Sequence, residues 1–290
     1  MLEQILTITL PVFSIVFIGY IYGRFDNHDL DVTNKINMDI FLPALLLFIL
    51  SEKISELQYV TDIFYATLIV VIGSGLITWL LCKLFHIPIT TLVPPMMFNN
   101  CGNLGLPLAV FAFGEQALPL FVIAFVTSNT LHFSVGVWLV TGHFKIMTFL
   151  KNPVFVASVA GLTLNITGTH VPAMVLPGLE MIAAVSIPLM LATLGIKFAN
   201  IKLSSMGIGV MAAILAPLVG LITAFLAIWL LDLNTEMTQV MLLFCILPPA
   251  VLNYMFAERY RQQPDQAASI VVIGNMFAVV SVPLILGFIL

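Results

Sequence analysis

The chain has 290 residues, of which 61% are hydrophobic and 8% are Asp, Glu, Lys or Arg, with a net charge of −4. A soluble domain carries about 25% charged residues, and 10 basic plus 14 acidic side chains cannot cover the surface of a 290-residue globule. This composition excludes a soluble globule, the missing basic cluster excludes nucleic-acid binding, and the mean hydropathy of +1.13 describes a polytopic membrane protein.

The gaps between charges predict ten spans in chain order. Gln4–Gly23 is the first, and without a basic leader it reads as a span, not a removed signal. The second covers about Thr33–Leu50, with Asp39 near its start; Lys35 stands four residues earlier, so an interfacial ion pair accounts for that acid. Ile63–Cys82, Leu84–Gly114 and Gln116–Phe144 give the third to fifth. Asn152–Leu179 holds a sixth at about Pro153–Asn165, where Thr163-Leu-Asn-Ile-Thr-Gly168 reads as an early exit. The seventh is about Pro177–Lys197, whose Glu180 complements a helix start. Leu203–Leu231, Met237–Ala257 and Gln266–Leu290 complete the set. Each gap accommodates the roughly 20 residues that cross a core of about 30 Å. The segments are apolar on all faces and too long for barrel strands.

Basic residues split along the same count. Arg24, Lys35, Lys83, Lys145, Lys151, Lys197, Lys202, Arg259 and Arg261 fall on one side and Lys53 on the other. The positive-inside rule then places both termini outside. Cys82, Cys101 and Cys245 are scattered through apolar surroundings and read as small core residues. The five histidines form no paired metal motif, no nucleophile elbow occurs, and Gly102-Asn-Leu-Gly105 lacks the pattern of a phosphate loop. No cofactor or metal is expected, and the chain is not read as an enzyme.

Five spans invert a half, and the two halves share interruptions. Phe41-Leu-Pro-Ala44 in span two faces Ile187-Pro-Leu-Met190 in span seven. Span four holds Asn99-Asn-Cys-Gly-Asn-Leu-Gly-Leu-Pro107 and span nine Leu247-Pro-Pro-Ala-Val-Leu-Asn-Tyr254. Matching Gly/Pro interruptions are the sequence pointer to an inverted-repeat transporter site. The expected fold is therefore all-α, with ten transmembrane helices in two inverted five-helix repeats and broken crossover helices 4 and 9. The expected division is 1–143 for the first repeat, 144–152 for a short cytoplasmic linker and 153–290 for the second.

If the breaks cross, half-helix N-termini with about half a positive charge each face one point, which suits a carboxylate. No Lys or Arg falls in the predicted mid-membrane region, so amides and dipoles carry that expectation. Candidate substrate contacts are Asn99, Asn100, Asn103, Gly105 and Pro107 in span four, and Pro248, Pro249, Asn253 and Tyr254 in span nine. Asn129 and Asn275 flank them from spans five and ten. The same residues also read as packed kinks with Asn acting as helix–helix glue. For a coupling ion, H⁺ or Na⁺, the candidates are Glu115, His132 and Asp62. His132 equally reads as a bond to a neighbouring helix, and Glu115 as a loop acid.

Asn100-Cys-Gly-Asn-Leu-Gly-Leu-Pro-Leu108, with Phe41-Leu-Pro-Ala44 and Leu247-Pro-Pro-Ala-Val251, resembles the auxin efflux carrier family in its bacterial, malonate- or malate-transporter-like branch. The resemblance covers essentially the whole chain. It implies a fold like that of sodium/proton antiporters and bile-acid symporters, with Asn103, Pro107 and Pro249 at the crossover and Asn100 on the substrate. It also implies a scaffold from spans one, two, six and seven, a moving transport domain from spans three to five and eight to ten, and a homodimer through the scaffold. The expected function is secondary active or facilitative transport of a small organic anion, a mono- or dicarboxylate or an auxin-like acid, by elevator-type alternating access in a bacterial inner membrane. A monovalent cation/proton antiporter of the same fold and a non-transporting ligand sensor are the alternatives.

Overall fold

Hydrocarbon offers a peptide group no water, so an apolar chain satisfies its backbone internally by forming helices. The computed structural model describes residues 2–25, 30–54, 57–143, 150–201 and 204–290, and over these the regular structure is helical apart from one isolated bridge. In chain order the helices are α1 (Leu2–Phe25), α2 (Asp31–Ile36), α3 (Leu42–Glu52), α4 (Leu57–Phe85), α5 (Ile89–Met97), α6 (Leu106–Phe113) and α7 (Leu118–Leu131). They continue as α8 (Val137–Thr141), α9 (Pro153–Ile166), α10 (Leu176–Asn200), α11 (Met206–Leu231), α12 (Thr235–Ile246), α13 (Val251–Arg259) and α14 (Pro264–Ile289). Wider π turns at Asn37–Phe41, Cys101–Gly105 and His132–Gly136 join α2 to α3, lead into α6 and join α7 to α8. Most of the expected linker, 144–149, and Lys202 lie outside the described residues.

The count of ten spans in two inverted five-helix repeats is corrected by this architecture. Seven described stretches are long and apolar enough to cross a membrane: Glu3–Phe25, Val32–Glu52, Tyr59–Phe85, Glu115–Thr141, Leu176–Asn200, Met206–Leu231 and Pro264–Ile289. Four of these precede residue 143 and three follow it, so the halves are not equivalent. The other expected spans are short: Cys101–Phe113, Pro153–Ile166 and Thr235–Ile246. A 14-residue helix such as α9 rises about 21 Å, short of a core of about 30 Å. A charge-free gap reports hydropathy alone; it does not report whether the helix inside it is continuous.

Helix ends follow local chemistry. Asn152 Oδ1 caps α9 by accepting from Val154 N at 2.9 Å, and Asn234 Oδ1 caps α12 through Met237 N at 2.9 Å. Gly114, at φ 82°, stops α6. Packing then forms two groups. α1 runs along α10, and α3 lies against α9 and α10; α4, α11, α12 and α14 pack together with α5, α7 and α13. Lipid gives helices no hydrophobic reason to associate, so small residues and polar bonds hold them. A Cβ on Gly195 would overlap the Val16 carbonyl oxygen, and one on Gly19 that of Ala192, so α1 and α10 touch backbone to backbone. Ser74 and Thr223 join α4 to α11 at 3.2 Å, and Ser186 donates to Asn37 Oδ1 at 3.2 Å.

Candidate functional site

Two helices fail at the same place. α5 contains Pro94 and Pro95 and ends at Met97; Phe98 is then extended (φ −115°, ψ 101°), and Asn100 (φ −83°, ψ 46°) turns the chain into the π segment. α12 ends at Ile246; Leu247 (φ −64°, ψ 143°) is extended, and Pro248 and Pro249 lead to Ala250 (φ −66°, ψ 144°) before α13. Proline has no N–H to continue a helix. The two extended pieces pair antiparallel, with Asn99 opposite Pro249. Asn100 N donates to Pro248 O at 2.7 Å, and Ala250 N donates to Phe98 O at 3.0 Å.

Asparagine side chains satisfy peptide groups that the breaks release. Asn99 Nδ2 donates to Phe244 O. Asn253 Nδ2 donates to Phe98 O at 2.9 Å and Ala250 O at 3.0 Å. Asn100 Nδ2 donates to Asn275 Oδ1 at 3.0 Å, and Asn275 Nδ2 donates to Pro249 O at 2.9 Å and Val271 O at 2.8 Å. Each such group left bare in hydrocarbon would cost several kcal/mol. Asn100, Asn253 and Asn275 are buried.

A cavity of about 120 Å³ opens beside this crossing. Of the substrate contacts expected from sequence, Asn99, Asn100, Asn103 and Asn129 line it. Gly105, Pro107, Pro248, Pro249, Asn253, Tyr254 and Asn275 do not. Gly105 admits the crossing by its lack of a side chain, since a Cβ there would stand 2.6 Å from Leu247 Cδ1. Pro107 is buried in the first turn of α6, and the Tyr254 hydroxyl donates to Glu258 Oε1 at 2.7 Å. Asn253 and Asn275 act one step back, on the backbone of the breaks.

Among the coupling candidates, His132 lines the cavity, whereas Glu115 is exposed with its carboxylate 3.9 Å from Lys53 Nζ, and Asp62 lies half-buried on α4. The His132 ring stacks on Phe98 (4.2 Å between centroids, 9° between planes) and meets Phe256 edge-on at 5.2 Å. His132 Nε2, Asn99 Oδ1 and Asn253 Oδ1 are buried without a hydrogen-bond partner. Asn253 approaches the imidazole without reaching hydrogen-bond geometry. Unpaired buried polar atoms are uncommon; three of the four among the described residues stand around this crossing, the fourth being Thr78 Oγ1 on α4.

Sequence reading missed the opposite wall. Asn34 and Asn37, one turn apart on α2 and its π turn, line the cavity, as do Thr193 and Lys197, one turn apart on α10. Their signal was the i,i+3 and i,i+4 spacing of polar residues within apolar helices. Lys197 also revises the expectation that amides and dipoles act alone, because its side chain belongs to the lining and its Nζ stands 4.0 Å from Met255 Sδ, another lining residue. The starts of the two half-helices contribute Cys101, Gly102 and Asn103 from one side and Val251 and Leu252 from the other, and neither start has a side-chain cap. Their amides and Lys197 are the positive contributions among the lining residues. Residues from each of the three π turns reach it, a common association of π turns with functional sites.

Residues 137–286 match the family model described as "Membrane transport protein". Over its whole length the chain is similar to proteins named as uncharacterized transporters. It is 24% identical to MJ1031 of Methanocaldococcus jannaschii, covering 96% of each chain. It is 23% identical to YfdV of Escherichia coli K12, covering 95% of this chain and 94% of the relative, and equally so to YfdV of Shigella flexneri.

Proposed function

Because the chain belongs to the membrane transport protein family, and is thus a multi-pass membrane transporter and not an enzyme, we propose that its cargo is a small organic anion, a mono- or dicarboxylate. The observation that carries this reading is the convergence of two uncapped helix starts and Lys197 on one cavity of about 120 Å³. Helix starts bind anions through free amide hydrogens and the aligned peptide dipoles. Lys197 supplies the full charge, Asn99, Asn103 and Asn129 supply neutral polar contacts, and the unpaired His132 Nε2 offers one more. The resemblance to auxin efflux carriers of the bacterial, malonate- or malate-transporter-like branch supports the same cargo.

The packing supports alternating access in which one helix group carries the site past the other. The cavity draws its walls from both groups: Asn34, Asn37, Thr193 and Lys197 belong to the α1–α3 and α9–α10 group, and the crossing belongs to the other. Movement of one group against the other would take that wall apart and release the anion. Residence in an inner membrane and pairing through the α1–α3 and α9–α10 group belong to the same reading.

Uptake of mono- and dicarboxylates into proteoliposomes tests it. Lys197→Gln is expected to raise the half-saturating concentration about tenfold, the scale of one lost charge-assisted hydrogen bond, with Lys197→Arg restoring most of it. Saturable flux indifferent to Lys197→Gln and to Asn103→Ala would remove the cavity as the site. Proton flux that depends on Na⁺, K⁺ or Li⁺ and not on organic anions would replace the reading with cation/proton exchange. Repeating uptake under imposed pH and sodium gradients identifies the coupling.

A further inference from the structure

A second cavity, of about 560 Å³, lies between α1, α10 and α14 and reaches Leu104 and Asn275 beside the crossing. Its walls are apolar, with Phe13, Phe17, Leu194, Phe198, Met276 and Val279 among them. Phe17, Met276 and Val279 are exposed, so the groove is open on the outside of the helix bundle. Two polar features mark its ends. Arg24 lies in the last turn of α1, and Asn275 is the residue that receives the Asn100 amide.

The dimensions match one leaflet. From Phe13 to Arg24 is eleven residues of α1, about 16 Å of helix at 1.5 Å per residue. Half of a hydrocarbon core of about 30 Å is about 15 Å. A guanidinium therefore stands at headgroup depth when the far end of the groove stands near the midplane. Guanidinium and phosphate pair through two parallel hydrogen bonds, and the aromatic and aliphatic wall below suits a hydrocarbon tail.

We propose that this groove is a binding site for an anionic phospholipid, its phosphate on Arg24 and one acyl chain laid along α1 toward Asn275. The apolar wall suits a hydrocarbon chain, and Arg24 at one end gives the occupant a direction. The seated tail fills the space between α1 and α14 and ends against the Asn100–Asn275 pair, the partition between this groove and the polar cavity. The site does not depend on the carrier reading, because lipid retention is measured without cargo.

Native mass spectrometry of the full chain, offered equal amounts of phosphatidylglycerol and phosphatidylcholine, is the test. Phosphatidylglycerol is expected to be retained in preference. Arg24→Gln should lower its retention about fivefold, the worth of one basic residue near an anionic headgroup, while Arg24→Lys keeps most of it. Lys83→Gln is the control, since that ammonium lies over the Trp79 ring at 3.7 Å and outside the groove, and should leave retention unchanged. Val279→Trp should fill the groove and lower retention of both lipids, which keeps the test alive if Arg24→Gln fails to fold. Equal retention of the two lipids by the unaltered chain, or equal losses from Lys83→Gln and Arg24→Gln, overturns the proposal. Loss of a dimer mass in Val279→Trp with lipid retention intact would assign the groove to a second copy and overturn it as well.

Discussion

The two breaks that meet at Asn99 and Pro249 solve one problem by opposite chemistry. The first is rich in donors: Asn99 and Asn100 each send a side-chain amide across the crossing, and Asn100 N pairs with Pro248 O. The second is poor in donors, because Pro248 and Pro249 have no N–H, and it meets the first with carbonyls. In antiparallel geometry Asn99 and Pro249 form a non-hydrogen-bonded pair, so an N–H at 249 would point away from the bridge. At 248 an N–H would aim at Asn100 O, yet that oxygen already accepts from Leu104 N at 3.1 Å and Gly105 N at 3.0 Å, starting the next helix. The missing donor in one break frees an acceptor in the other. The amide-bearing break supplies side-chain amides to the cavity wall, while the proline break fixes a path.

Removing the amide that spans both breaks should have the largest effect. Asn253→Ala takes the side-chain donor from Phe98 O and Ala250 O, which keep only the backbone donors Ala250 N and Asn253 N, and opens a polar void beside His132. A hydrogen bond is worth about 0.5–1.5 kcal/mol net, and two carbonyls share this donor. The expected result is a melting temperature lower by several degrees and loss of most uptake. Thermal melting in detergent beside proteoliposome uptake checks both. Unchanged melting would show that the breaks hold without their side-chain amides, and the contrast between them would lose its basis.

A smaller effect is expected where the first break ties to α14. Asn100→Ala and Asn275→Ala, made singly and together, should show a coupling of about 1 kcal/mol, the net worth of one hydrogen bond, superposed on larger single losses. Asn275→Ala should be the worse of the two, because its amide also serves Pro249 O and Val271 O. Chemical denaturation of the four forms gives the cycle. Strict additivity would mean the two amides stabilise their breaks independently.

The composition of Asn99–Pro107 and Leu247–Pro249 shows in the bare sequence that these stretches resist continuous helix, since Gly and Asn are poor helix formers and tandem Pro lacks the N–H. What the same reading could not weigh is helix continuity elsewhere. Pro153–Ile166 is as apolar as a full span yet only 14 residues long, because Asn165 turns back to donate to Ile54 O at 3.1 Å and Gly168 (φ 65°) follows. The polar wall at Asn34, Asn37, Thr193 and Lys197 was hidden for a different reason. Each lies near a charged helix end, where polar residues are ordinary, and only packing of α10 against the π turn at Asn37–Phe41 turns them toward the crossing. Asn253 and Asn275 were singled out as cargo contacts because an amide in a membrane span demands a partner; the partner each one finds is a broken backbone.

The smallest effect is expected from the proline break itself. Pro249→Ala removes a ring that packs on Gly274, where an added Cβ would come within 2.8 Å of Pro249 Cδ, and releases an N–H directed away from the bridge. Ala250 already keeps the extended path with φ −66° and ψ 144° without being a proline. The loss is therefore mainly the ring's restriction of the unfolded chain, worth about 0.4–1 kcal/mol. Uptake should survive with its half-saturating concentration unchanged, since Pro249 does not line the cavity. If Pro249→Ala instead matched Asn253→Ala in both melting and uptake, the ring would be positioning the helix starts. The two breaks would then share recognition equally.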